Sequence, residues 1–140
     1  MRRLVAALAA CLGAASPSFA ENPTSGFVRL HAIDLLERAL TQEQQTKLQL
    51  VAYQTAIADV CLGFTLDDAK MGKAFEALAP ADATKMSDAQ KDYHDKHILV
   101  IYGILVGGEL AALSDDPSEA CSAAEKVKAD PDFADQVVWQ

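Results

Sequence analysis

Downstream of residue 20 the most apolar run in the chain is residues 98–113, ILVIYGILVGGELAAL, interrupted by a single charge at Glu109. A bilayer span needs about 20 largely apolar residues, so the run is too short to be one. It is also longer than the usual strand of about 5–6 residues. The pattern therefore predicts a buried helix. Ser87 with Gln90 three positions on forms a capping box, which places the helix at about 88–113. Its first third is charged (Asp88, Lys91, Asp92, Asp95, Lys96) and the remainder is not. Gly103, Gly107 and Ala111 recur at i, i+4 within it. Each interior glycine costs about 1 kcal/mol relative to alanine. The small strip they form predicts another helix packed closely at Gly103 and Gly107.

The other elements read as cover for this helix. Residues 21–26, ENPTSG, form a polar, turn-rich leader expected to be loose. Residues 27–40 predict an amphipathic helix with Val28, Ala32, Leu35, Leu36 and Ala39 on one face. Arg29, Asp34, Glu37 and Arg38 lie on the other, with Asp34 and Arg38 as an i, i+4 pair and His31 toward the polar side. Thr41 with Gln44 is a second capping box, opening a helix that should run to Leu62 and stop at Gly63. Its predicted inner stripe is Leu50, Tyr53, Ile57 and Cys61, continued by Phe64. A third helix, about 67–78, is expected behind a Thr65 cap, with Met71, Ala74, Phe75 and Leu78 inside and Pro80 beyond its end. Asp116 and Pro117 open a helix over about 117–129 that carries Cys121 inward. Asp130 and Pro131 repeat the device, and Phe133, Val137 and Val138 are placed to dock a last turn. No stretch alternates as a strand would. The fold class is all-α: about five helices in a compact bundle around the central helix at 88–113.

The first twenty residues change the picture of the whole chain. A basic head at Arg2 and Arg3, an apolar middle, and Ser18 and Ala20 at the positions a signal peptidase reads predict an export signal over 1–20. That leaves a loose leader at 21–26 and a single helical domain at 27–140. The alternative is a lipoprotein anchored through Cys11, whose preceding Leu8, Ala9 and Ala10 match a lipidation site. Either way a periplasmic or secreted bacterial protein is expected, with no transmembrane span in the mature chain. Export also removes Arg2 and Arg3, leaving ten basic against twenty acidic side chains and a net charge of −10, where the full chain carries −8. That balance argues against nucleic acid and anionic lipid as partners. With Cys11 gone, Cys61 and Cys121 are an even pair in an oxidising compartment, and a disulfide between them is predicted.

Catalytic signatures are absent. There is no G-x-S-x-G elbow, no glycine-rich phosphate loop and no H-E-x-x-H pair, and no enzyme or cofactor is predicted. Asp67 with Asp68, Asp115 with Asp116, and Asp130 with Asp132 lack the spacing and glycine of a calcium loop. They suit helix starts instead. His94 and His97, three apart on one helix edge, could hold a metal if His31 or a carboxylate joined them.

Three functional expectations follow. A non-enzymatic binding module of the envelope is the first, with Asp115, Asp116 and Glu119 offering an acidic face to another exported protein that carries a basic surface. Metal binding at His94 and His97 is the second. The third starts from charge: in acid at about pH 2–3 the mature chain swings from −10 toward +13, which loosens a small helical domain while Cys61–Cys121 limits its expansion. This plan resembles the acid-activated periplasmic chaperones of the HdeA type, which are small, exported, helical and tied by one disulfide. The resemblance implies that apolar stripes exposed in acid would hold unfolding proteins. It covers architecture and the cysteine pair, so no site residue carries over. The oligomeric state is left open.

Overall fold

A computed structural model describes residues 23–36 and 39–140; the predicted export signal, Cys11 and the Asp34–Arg38 pair lie wholly or partly outside these residues. Five α-helices follow in order: α1 Pro23–Leu35, α2 Gln42–Val60, α3 Asp68–Glu76, α4 Asp88–Leu113 and α5 Ser118–Ala129. Short 3-10 turns occupy Ala83–Lys85 and Pro131–Phe133. Among the described residues there is no strand, and a lone bridge pairs Leu66 with Trp139. The all-α class, the central helix and the Cys61–Cys121 disulfide all stand.

Both predicted capping boxes are formed. Thr41 Oγ1 accepts from the Gln44 amide while Gln44 Oε1 accepts from the Thr41 amide, and Ser87 and Gln90 repeat the exchange at the start of α4. Gln44 does more than close its own box. Its Nε2 donates to the carbonyls of Ala77 and Ala79, which α3 leaves unpaired at its end. Several boundaries differ from the sequence pattern. α1 begins at Pro23, inside the stretch expected to be loose, because proline's fixed φ and missing N–H suit a first helical turn. α3 is capped by Asp67, whose Oδ1 accepts from the Lys70 amide, and not by Thr65. α2 ends at Val60 with Cys61 already extended, and Gly63 takes φ +87° in the turn beyond.

Two cores share the molecule. The larger joins α1, α2 and α4 with the end of α3, through Ala32, Leu36, Leu48, Ala52, Ile101 and Leu105. α1 runs antiparallel to α4, with Val28 beside Gly108 at one end and Leu35 beside His97 at the other. The second core gathers the end of α2, α5 and the C-terminal tail around Ile57, Cys61, Phe64, Ala124 and Trp139. Gln54, buried on α2, docks that tail: its Oε1 accepts from the Val138 amide, its Nε2 donates to the Gln136 carbonyl, and its own carbonyl accepts from Trp139 Nε1. The disulfide spans 60 residues of sequence in this second core. Closing a loop of that size stabilises by about 4 kcal/mol in the chain-entropy picture.

The expected inner stripe holds at its end, where Ile57, Cys61 and Phe64 are buried, but not at its start. Leu48, Val51, Ala52, Ala56 and Ile57 are buried, whereas Leu50 is 38% exposed at the lip of a groove and Tyr53 is half-buried. By length and composition α4 also qualifies as a membrane span, although the apolar run alone seemed too short. Here one side of it, Ile98, Ile101, Leu105, Gly108 and Glu109, is buried against α1 and α2. Its other side is not covered by any of the described residues.

Candidate functional site

The uncovered side of α4 is built by helical periodicity. Burial centres on Ile98, Ile101 and Leu105, so at 100° per residue the opposite side presents Lys96, Gly103, Gly107 and Ser114. Leu99 and Leu110 flank them on one edge, Val100 and Ala111 on the other. Leu99 is 55% and Val100 61% exposed, and Gly103, Gly107 and Ala111 are exposed as well. The close helix predicted at Gly103 and Gly107 is therefore not supplied by the described chain: a Cβ added at either would meet nothing within 4 Å. The close approach is one position on, at Gly108. A Cβ there would lie 2.5 Å from Val28 Cγ1 and 2.7 Å from Val28 Cβ. Sequence spacing identified a small strip but assigned it to the wrong neighbour, because it could not tell the two sides of the helix apart.

α1 carries exposed apolar groups of its own. Phe27 and Leu30 are each 72% exposed, and the exposed His31 stacks on Phe27 with ring centroids 6.2 Å apart. Tyr93, also exposed, tilts against His97 on α4. Exposed large apolar groups such as Leu99 and Val100 on one helix side are the kind of feature that marks an interaction surface.

The histidine pair does not converge. His94 Nε2 donates to the Leu78 carbonyl at 3.0 Å and His97 Nε2 to the Leu35 carbonyl at 2.9 Å. Each imidazole thus satisfies a carbonyl at the end of a different helix segment, α3 for one and α1 for the other. His31 lies out on the α1 surface. Among the described residues no three histidine, cysteine, aspartate or glutamate side chains are grouped to hold a metal ion.

Glu109, which sequence reading took only as an interruption, is the polar centre of the α1–α4 contact. Its side chain is 6% exposed and its Oε1 accepts from Arg29 Nε at 2.8 Å, linking residues 80 apart in sequence. A carboxylate inside an apolar run must find a cation or a donor. That signal was legible, but its partner was not. Tyr53 stands near the pair: burial pushes its phenol up, Glu109 pushes it further, and Arg29 opposes both.

Asp115 and Asp116 are exposed between α4 and α5, and Glu119 is exposed in the first turn of α5. Asp116 Oδ1 accepts from the Ser118 amide at 3.0 Å and the Ser118 hydroxyl at 2.6 Å, and these bonds hold its carboxyl below the ordinary value. It braces the start of α5. Elsewhere, a surface groove between α2, α3 and the tail is lined by Leu50, Val51 and Val138 together with Glu43, Lys47 and Lys73. Thr46, whose hydroxyl donates to the Gln42 carbonyl, also lines it. No protein-family model matches this chain, and no curated protein or solved structure matches it either.

Proposed function

We propose that the protein is a non-enzymatic binding module exported to the bacterial envelope, and that its working surface is the outward side of α4. The observation that carries this reading is the exposure of Leu99 and Val100 beside two glycines that keep the helix surface flat. Covering those groups offers favourable burial at about 25 cal/mol per Å². What supports export is the segment at 1–20 and the cysteine pair that an oxidising compartment would join. Asp115, Asp116 and Glu119, at one end of the same helix, favour basic groups in whatever docks there.

The test is photo-cross-linking in intact cells, with a photoreactive residue at Val100 and, as control, at the exposed Glu125 on α5. One discrete adduct from position 100 and none from 125 supports the reading. Equal labelling from both, or none from either, defeats it.

The Arg29–Glu109 link favours a second reading, an acid-opened holding protein. Protonating Glu109 removes the charge that ties α1 to α4, and beneath α1 lie Ile101, Leu105 and Gly108. This reading requires dye binding and suppression of client aggregation to rise together as pH falls.

A further inference from the structure

Resting on that binding reading, we infer that the partner of the α4 surface is a second copy of this chain, packed antiparallel about a two-fold axis passing between Gly103 and Gly107. A two-fold contact requires one surface to complement itself. On this side of α4 it does. With the axis at the level of Leu105, Gly103 lies opposite Gly107 of the second copy and the reverse, so the two backbones meet where neither carries a side chain. A Cβ at either position meets nothing within 4 Å among the described residues, so none of them fills that space. On one edge Leu99 packs beside Leu110 of the other copy, and on the opposite edge Val100 packs over Ala111, a larger group against a smaller one. Residues 96–114 give the contact a length of about 27 Å at 1.5 Å per residue.

Charge decides between a second copy and an unrelated protein. The C-terminal end of α4 has no basic residue in its last turn and is followed by exposed Asp115 and Asp116. It carries the negative end of the helix dipole with no cation of its own on that turn. At the other end of the same stripe stands Lys96, whose recorded ion pair is with Asp92 at 2.7 Å on the exposed surface. The antiparallel arrangement sets Lys96 of each copy opposite Ser114 of the other, within reach of Asp115 and of the terminal carbonyls. A parallel pairing would instead put the acidic ends together. The acidic face and its basic counterpart thus belong to one stripe.

Sedimentation of the purified, oxidised protein across a dilution series tests this. A dimer with a dissociation constant in the micromolar range is expected. Gly107→Glu should weaken it about tenfold or more while leaving the melting temperature of the dilute monomer unchanged or higher, because the position is open and glutamate is the better helix former. Lys96→Glu should weaken it too, and adding Asp115→Lys should restore it. The inference is overturned by a wild-type chain that stays monomeric at the highest concentration. Monomers that bind phosphatidylcholine vesicles overturn it as well, as does a dimer indifferent to Gly107→Glu, or a charge swap that fails to rescue. The two proposals part at the Val100 cross-link: an adduct of twice the chain's mass supports both, an adduct of another mass removes only the self-pairing, and no adduct removes the binding reading itself.

Discussion

Gly107 and Gly108 are adjacent in sequence and opposite in environment, which makes them a sensitive pair for separating helix propensity from packing. At Gly107 an added methyl meets nothing, so Gly107→Ala should stabilise the dilute monomer by about 1 kcal/mol, the cost of an interior glycine. At Gly108 the same methyl would fall within 3 Å of a β-branched side chain whose χ1 is stiff. Overpacking of that kind costs about 1–3 kcal/mol, which cancels or exceeds the propensity gain. Gly108→Ala should therefore melt no higher than wild type and below Gly107→Ala, measured by circular dichroism at low concentration. If the two variants melt together, α1 does not hold Val28 against α4 in solution.

At the scale of elements, the helices whose starts are written in local chemistry were legible. Thr41 with Gln44 and Ser87 with Gln90 each signal themselves within four residues, and α4 has the span its cap and periodicity implied. What failed was rotation about the helix axis. Leu50 and Leu48 are equally apolar, and only the arrival of α4 and the tail decides which turns inward. The same ambiguity sent the glycine strip toward the core instead of the surface. The tail was harder still, since its docking depends on Gln54, a polar residue in a helix interior with no local reason to be buried. Gln54→Ala leaves the buried Val138 amide and the partly buried Gln136 carbonyl without their partner, a loss of about 1–3 kcal/mol carried mainly by the amide. Trp139 is the only tryptophan in the chain and is 2% exposed, so its emission reports the tail alone. A red shift in Gln54→Ala under conditions where α-helical content is unchanged is the expected result; an unshifted spectrum would mean that Phe64 and the disulfide hold the tail without it.

For the molecule as a whole, the Arg29–Glu109 link is where charge and fold meet, because it joins the helix with the most exposed apolar ridge to the helix that anchors the core. Glu109→Gln reproduces the protonated state at neutral pH without adding acid elsewhere. Separating a buried carboxylate from its cation costs about 3–5 kcal/mol when both are fully buried. With Arg29 about a third exposed, roughly 2 kcal/mol is the reasonable expectation here. Tyr53 supplies a second readout whose sign can be worked out. Its phenol is raised in the folded chain, so its contribution to stability is complete below the unfolded value of about 10 and is lost as pH rises through the folded one. Removing the Glu109 charge takes away one of the two raising influences, so in Glu109→Gln the phenol should ionise at lower pH while burial still keeps it above the ordinary value. If that shift appears and the variant binds an apolar dye at neutral pH, loss of this one pair is sufficient to open the molecule. Should the phenol shift while the dye stays unbound, the charge is where the structure puts it but the clamp is not what keeps α1 closed, and any acid opening must come from the repulsion of the whole chain.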